Sequence, residues 1–175
     1  LDRIRLYLSR QAASPWRYLL EQAVCGLAGW IPTVAGLGIR GVLYRLILRM
    51  DGWAAIENGV RLRFASRIRL GHGSYLDQGV YVHACPGGVT IGPGTLVMHG
   101  SVLHVYNFRN LPHAGITIGR DSLVGEFSLI RGPGGVTIGD RVYLSPAVHI
   151  YSSDHVLAEP GASFVDQGVV CRGVV

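Results

Sequence analysis

Cysteine is scarce in this chain of 175 residues, which contains only three of them. Cys25, Cys85 and Cys171 are far apart in the sequence and odd in number, so a framework of disulfide bonds is not expected. A secretory signal is also missing, because residues 1–13 mix arginine with Leu, Ile and Tyr and have no uncharged core or small-residue cleavage site. We therefore expect the protein in the reducing cytoplasm.

Several patterns that would indicate other functions are absent too. The sequence has no P-loop, and its 25 glycines do not follow the G-X-Y period of collagen. Positive charge is concentrated at the start: residues 1–69 hold eleven arginines and four acids, whereas the remainder holds five arginines and seven acids. This first segment is apolar rather than densely charged, so it fits a membrane surface better than a nucleic acid, and no nucleic-acid partner is expected.

What the sequence does contain is a six-residue repeat. An aliphatic residue followed by glycine occurs four times, at Leu70-Gly71, Ile91-Gly92, Ile118-Gly119 and Ile138-Gly139. From each of these residues further aliphatic residues, here called anchors, follow at steps of six: 70, 76 and 82; 91, 97 and 103; 118, 124 and 130; 138, 144 and 150. A helix repeats every 3.6 residues and a strand every 2, so neither explains this period.

Three short strands in each turn of a triangular coil do explain the period of six. The sequence therefore predicts an all-β solenoid, a parallel β-helix of hexapeptide repeats whose anchors point inward. Ile56 and Leu62 continue the series backwards and Met50 fits it, so the β-helix is predicted over residues 50–155, with five turns and a height of about 24 Å. The extra residues between the repeats fall at one corner, which a solenoid allows. The competing interpretation, a series of ordinary β-hairpins, would not keep a six-residue register over so many residues.

The leader, residues 1–49, is predicted to be helical. Ser14-Pro15 is typical of a helix start, residues 22–39 carry no charge, and residues 40–50 are predicted as a second helix with Val42, Leu43, Leu46, Ile47 and Met50 on one face. The leader either caps the open first turn of the solenoid or lies as a basic amphipathic element on the inner face of a membrane, through residues 14–50. A transmembrane span is a third interpretation, but Pro32 and several glycines interrupt the uncharged run.

The last segment, residues 156–175, has no hexad order and is predicted to be a long loop that returns towards a further turn. Such a loop on a rigid scaffold is a natural place for function. Because the chain begins with Leu1 and Gly173-Val174-Val175 leads towards an anchor at position 176, we expect the sequence to be a fragment at both ends.

Two stretches at this end resemble a known family. The segment from Ser145 to His155, Ser-Pro-Ala-Val-His-Ile-Tyr-Ser-Ser-Asp-His, resembles the active-site coil of the hexapeptide-repeat O-acetyltransferases, which act on maltose, galactosides and surface polysaccharides. The segment from Gln167 to Val175 is similar to the return strand of the same loop. Ile31-Pro32 and the arginine-rich stretch that follows are similar to the leaders of the polysaccharide-linked members, so the resemblance covers most of the chain.

The resemblance implies a left-handed coil and a homotrimer with active sites between subunits. It also implies an acyl-CoA donor, expected to be acetyl-CoA, and a sugar hydroxyl of a surface glycan or its precursor as the acceptor. The family's catalytic histidine falls on His155, which would act as general base, and Tyr151 and Asp154 in the same segment are candidate acceptor contacts. The coils that help to hold CoA would follow Val175, so no CoA-binding residue is assigned, and no metal is expected.

One departure concerns the acceptor. Sugar acetyltransferases of this family carry an asparagine one residue after the second anchor of the preceding coil, where it contacts the acceptor. Here that position is Gly125, followed by Glu126. Either the acceptor differs or Glu126 replaces the asparagine, so Glu126 is a further candidate substrate-binding residue.

Three other histidines support a rival hypothesis. The spacing of His83, His99 and His104 resembles the zinc ligands of gamma-class carbonic anhydrases, which are also β-helix trimers, and three histidines plus water make a catalytic zinc site. The Arg-x-Asp expected upstream is missing at Arg63, and the Gln-Asp pair of that family is reversed here as Asp77-Gln78. The alternative from a different functional class is a β-helix scaffold without catalytic activity.

Overall fold

The computed structural model describes residues 2–106, 111, 113–163 and 166–175. Helices α1 (Asp2–Ser9), α2 (Pro15–Ala28) and α3 (Thr33–Leu43) come first, and short 3₁₀ helices follow at Tyr44–Leu46 and Ala65–Arg67. The described strands are β1 (Arg49–Asp51), β2 (Ala55–Ile56), β3 (Arg61–Arg63), β4 (Ile68–Gly71), β5 (Tyr75–Leu76), β6 (Tyr81–His83), β7 (Val89–Ile91), β8 (Leu96–Val97), β9 (Val102–His104), β10 (Ile116–Ile118), β11 (Leu123–Val124), β12 (Leu129–Arg131), β13 (Val136–Ile138), β14 (Tyr143–Leu144), β15 (His149–Tyr151), β16 (Ser153–His155) and β17 (Val169–Cys171).

Every third strand stacks in parallel on the strand one turn earlier. This produces three five-stranded sheets, in the orders β1-β4-β7-β10-β13, β2-β5-β8-β11-β14 and β3-β6-β9-β12-β15. The anchors are paired along each sheet, and in the first sheet the paired residues are Met50, Leu70, Ile91, Ile118 and Ile138. The predicted solenoid, a parallel β-helix of about five turns that follows a helical segment, is therefore confirmed.

The anchors form the core, with one correction at the end of the stack. All anchors from Leu70 to Ile138 are buried, and those from Leu70 to Ile130 each lie between anchors of the turns before and after them. Leu144 and Ile150 are only half-buried, so the prediction that every anchor to 150 is buried is wrong for these two. Among the described residues, Val174 alone begins a further turn, through a parallel bridge to Val136, and this leaves most of the fifth turn uncovered.

At the corners, small polar side chains link successive turns. Each of them lies four positions after an anchor. The Ser101 hydroxyl donates to the Gly125 carbonyl at 2.9 Å, and the backbone N–H of Ser128 donates to the Ser101 hydroxyl at 3.3 Å. The buried Thr95 and Ser122 make the same kind of link one corner away, where the Ser122 N–H donates to Thr95 Oγ1 at 3.1 Å. These hydroxyls bond backbone groups that the turning chain would otherwise leave unpaired inside the solenoid.

The extra residues between repeats share one corner, where the chain passes from the third sheet back to the first. We call it the third corner. Gly87 lies against Ala114 of the next turn so closely that a Cβ would meet its carbonyl oxygen at 1.3 Å, and a Cβ on Gly134 would meet the Ser152 carbonyl oxygen at 2.2 Å. Part of the longest internal insertion, residues 107–110 and 112, lies outside the described residues. Stacked insertions at this corner build the walls of the site described below.

The leader packs on the first turn through a fully buried arginine. Arg40 is 0% exposed, and it donates to the carbonyl oxygens of Ala28 at 3.0 Å, Ile31 at 2.6 Å and Ile56 at 2.5 Å. The first two carbonyls lie at and just beyond the end of α2, where helical carbonyls lack intrahelical partners. Arg40 thus joins both helices to strand β2.

The helix boundaries in the leader differ from the prediction. Residues 40–50 are not one helix, because α3 already begins at Thr33, ends at Leu43, and gives way to strand β1, in which Met50 pairs with Leu70. Glycine is a poor helix former, but Gly36 and Gly41 lie inside α3 at tight contacts: a Cβ on Gly36 would lie 2.0 Å from the Ile31 carbonyl oxygen, and one on Gly41 would lie 2.4 Å from the Trp53 ring. Helix α1 lies within the leader that was predicted to be helical, although no separate start or end was predicted for it. Among the described residues, no helix has both the length and the apolar character that crossing a membrane requires.

Candidate functional site

A cleft of about 710 Å³ lies at the third corner, near the uncovered end of the solenoid. It contains three of the residues predicted from the sequence, Tyr151, Asp154 and His155. The other lining residues come from the neighbouring insertions and strands: Tyr106, Leu111, Arg131, Pro133, Ser152, Ser153, Val169, Val170, Arg172 and Val174. We call this the third-corner cleft.

His155 is held in the cleft by a two-stranded hairpin that leaves the solenoid. It ends strand β16, which pairs antiparallel with β17, so that His155 is opposite Val169 and Asp154 is opposite Val170. The base of the hairpin is fixed by the buried Ser152, whose hydroxyl donates to the Arg131 carbonyl at 3.1 Å and accepts the Gly134 N–H at 2.9 Å. The return strand expected after Gln167 is therefore present as β17.

The loop of the hairpin is organised by a single side chain. The Gln167 carbonyl oxygen accepts the N–H groups of Ala158 at 2.8 Å and Glu159 at 2.9 Å. Its amide nitrogen donates to the carbonyl oxygens of Glu159 at 3.2 Å and Ala162 at 3.1 Å. Gln167 thus closes the loop through four hydrogen bonds, close to the strand on which His155 lies.

The imidazole of His155 is exposed on the cleft surface, where a substrate can reach it. The neighbouring Asp154 carboxylate accepts the backbone N–H of His155 at 2.8 Å. This bond orders the chain at His155. An accessible imidazole on a fixed backbone is suited to the role of general base.

Two arginines in the cleft were missed from the sequence. Arg131 is one residue after its anchor and pairs with Tyr151 of the next turn, and Arg172 follows strand β17. With Asp154 as the one acid among the described lining residues, the charge balance favours an anionic ligand. The six-residue register could have placed Arg131 beside Tyr151, but nothing in the sequence locates Arg172 at the same cleft.

Two of the three candidate zinc ligands lie together, one turn apart. His83 and His104 pair across β6 and β9, with ring centroids 5.1 Å apart. Burial, and then the charge of the neighbouring His104, lowers the pKa of His83 to about 4. Burial, followed by the nearby Arg131 charge, also lowers the pKa of His104. Both imidazoles are therefore neutral at pH 7.

His99 and Glu126 lie away from these groups. His99 follows β8, where its ring contacts Phe127 with centroids 5.3 Å apart and its backbone N–H donates to Asp77. Among the described residues, no three His, Cys, Asp or Glu side chains are close enough to hold a metal ion, so a single chain does not assemble the predicted alternative site. Glu126 lies at the corner between β11 and β12 and does not line the third-corner cleft.

The buried histidine pair predicts a pH dependence of stability. The folded-state pKa of His83, about 4, is below its ordinary value of 6.5, so the unfolded chain binds more protons between these values and stability falls as the pH falls from 6.5 to 4. The lost free energy of unfolding should reach about 2–3 kcal/mol from His83 alone. Urea unfolding at a series of pH values measures it.

The matched variants for this measurement are His83→Phe and His149→Phe. The loss of stability at low pH should shrink in His83→Phe, but it should not vanish, because His104 also has a lowered pKa. His149 is exposed, so His149→Phe should keep the whole dependence. An identical pH profile in His83→Phe would contradict the prediction.

The fold and the cleft define a class: a parallel β-solenoid with a helical leader and a histidine at the mouth of a long hairpin. No protein-family model, curated protein or solved structure matches the chain. The function proposed below rests on the residues and geometry of the third-corner cleft.

Proposed function

We propose that the protein is an acyl-CoA-dependent O-acyltransferase, with acetyl as the expected acyl group. Its acceptor is a sugar hydroxyl of a surface glycan or of a glycan precursor. The observation that carries the proposal is the third-corner cleft, which brings His155, Tyr151, Asp154, Arg131 and Arg172 together where a long hairpin leaves a rigid solenoid. The resemblance of residues 145–155 to the active-site coil of hexapeptide-repeat O-acetyltransferases supports it.

The transfer needs one base and one place for negative charge. The His155 imidazole accepts the proton of the acceptor hydroxyl while the hydroxyl oxygen attacks the thioester carbonyl carbon. The new C–O bond forms, negative charge collects on the carbonyl oxygen, and backbone N–H groups stabilise it. The C–S bond then breaks, and the CoA thiolate takes up the proton carried by the imidazolium, so both products leave in their ordinary protonation states.

The remaining groups of the cleft suit these substrates. Tyr151 is 54% exposed and presents an apolar ring and a polar hydroxyl, a combination that fits the mixed surface of a sugar. Arg131 and Arg172 favour an anionic ligand, and both an acyl-CoA and an acidic sugar carry negative charge. In the homotrimer that we propose, a neighbouring subunit would face this open cleft and complete it.

The test is acceptor-dependent release of CoA thiol by the full-length gene product. The protein is incubated with a panel of acyl-CoAs, with and without a panel of sugars, and free thiol is measured. We expect acetyl-CoA together with a sugar acceptor to release thiol at least tenfold faster than either reactant with the protein alone. Absence of acceptor-dependent release across the panel would contradict the proposal, and CO₂ hydration that follows bound zinc would favour the carbonic-anhydrase alternative instead.

A further inference from the structure

Helix α2 has its apolar and polar sides in an unusual arrangement. The side packed on the solenoid contains Val24 and Ala28 but also the carboxyl of Glu21, which is 3% exposed and whose pKa burial raises to about 7. The solvent side carries a continuous apolar stripe at steps of three and four residues: Trp16 at 72% exposure, Leu19 at 59%, Ala23, Leu27 at 68% and, just beyond the helix, Trp30 at 70%. A helix that served only as a cap would carry charged residues on this side.

Helix α3 repeats the arrangement. Its packed side contains Gly36, Gly41 and the fully buried guanidinium of Arg40. Its solvent side, extended by the following 3₁₀ helix, exposes Val34 at 81%, Ile39 at 39%, Val42 at 61% and Leu46 at 57%. Because α2 and α3 pack against each other, two uncharged stripes lie on adjacent helices. Exposed apolar surface of this extent marks an interaction site.

Four arginines line a second cleft that adjoins the apolar surface. This arginine cleft, of about 370 Å³, is lined by Arg17, Arg45, Arg49 and Arg67 together with Leu46, Ile47, Leu48 and Ser66, and none of these described residues is acidic. Arg45 donates to the Gly52 carbonyl at 2.6 Å and Arg17 donates to the Leu46 carbonyl at 3.3 Å, which holds both guanidiniums near the cleft. Leu46 belongs to the apolar stripe of α3 and to the cleft, so the two features are continuous.

We propose that this combined surface docks the protein on an anionic phospholipid bilayer. The apolar stripes enter the headgroup and acyl boundary, and the arginine cleft binds lipid phosphates. Tryptophan prefers this boundary, and two of the protein's three tryptophans, Trp16 and Trp30, lie on the stripes. Guanidinium groups bind phosphate oxygens through paired N–H donors. The helices therefore lie in the plane of the interface.

Charge decides between a bilayer and a second copy of the chain. A symmetric dimer through this surface would bring the same patch of both copies together. The arginine cleft of one copy would then lie close to that of the other without an intervening acid, and like charges in contact are costly. A phospholipid surface instead supplies the phosphates that complement the arginines. This proposal is independent of the chemistry assigned to His155.

The experiment uses the full chain and vesicles. Vesicles of phosphatidylcholine alone are compared with vesicles that also contain phosphatidylglycerol, and binding is followed by co-sedimentation and by the blue shift of tryptophan fluorescence. We expect at least tenfold tighter binding to the anionic vesicles, and this preference should weaken as salt screens the arginines. Equal binding to both kinds of vesicle, or no binding to either, would overturn the proposal.

Substitutions separate the two parts of the surface. Arg45→Gln and Arg49→Gln should each weaken binding about fivefold, the contribution of one basic residue near an anionic surface. Leu27→Ser alone should weaken vesicle binding about tenfold, because the substitution removes an apolar side chain from the boundary. The matched controls are Arg141→Gln, in the fifth turn, and Leu157→Ser, at 80% exposure in the hairpin loop, and both should bind normally. All five side chains named here are exposed, so these variants should fold.

Two further results would also refute the docking surface. Soluble glycerol phosphate should not displace the protein from vesicles, because it cannot replace the apolar contacts. Displacement by glycerol phosphate, combined with normal vesicle binding of Leu27→Ser, would indicate a site for soluble phosphate instead. Concentration-dependent self-association that Leu27→Ser abolishes, without vesicle binding by the unmodified chain, would show that a second copy covers the surface.

Discussion

Replacing His155 with alanine should lower the rate of acyl transfer by about 10²–10⁴-fold, the usual contribution of a positioned general base. The imidazole is exposed and lies on a strand whose backbone is held by β17 and Ser152, so the substitution should leave the fold intact. It should also leave acyl-CoA binding largely unchanged, because the base acts on the acceptor hydroxyl. The loss should therefore appear in the rate of transfer and not in the dissociation constant of the donor.

The matched control is His149→Ala. His149 is exposed on strand β15, only six residues before His155, and does not line the third-corner cleft. This variant should keep most of the activity. The measurements are acceptor-dependent release of CoA thiol, calorimetric titration with acyl-CoA, and circular dichroism for all three proteins. Near-normal turnover in His155→Ala, or equal losses in both variants, would show that the assignment of His155 is wrong.

Replacing Leu103 with alanine should lower the free energy of unfolding by about 2–5 kcal/mol. Leu103 is 0% exposed and is paired with Val82 of the turn before and Ile130 of the turn after. A solenoid turn contacts only its neighbours, so a cavity in the third turn removes contacts with the second and fourth turns together. The midpoint of urea unfolding should fall while the slope stays the same.

Leu144→Ala is the comparison that tests this explanation. Leu144 is also an anchor, but it is half-buried, because little of the described chain covers the fifth turn. Removing the same atoms there should cost clearly less, below about 2 kcal/mol, because less apolar surface is returned to water. If both substitutions destabilised the protein equally, the fifth turn would have to be covered in solution as completely as the third.

The sequence by itself determined the solenoid, because a parallel β-helix repeats in sequence what it repeats in space. The step of six residues between Leu70, Leu76 and Val82 is the step between adjacent faces of the coil. Each turn uses the same inward positions, and this determines the register of all three sheets. The loss of that period after Ile150 also marked where the chain leaves the coil, although the sequence predicted a loop over residues 156–175 and not the hairpin of β16 and β17 that carries His155. These inferences needed only local periodicity, which a single sequence records directly.

Only the tertiary structure decided which side chains meet at the third corner and which sides of the leader helices face solvent. Arg131 and Arg172 line the same cleft although 41 positions separate them, because insertions from different turns stack there. His99 follows a strand of the second sheet whereas His83 and His104 lie on paired strands of the third, so the three do not form one group despite their spacing. In the leader, the guanidinium of Arg40 is buried because three carbonyl groups, from Ala28, Ile31 and Ile56, accept its N–H bonds. Such partners exist only in the folded chain, so a sequence pattern that assigns charged residues to the solvent side cannot anticipate them.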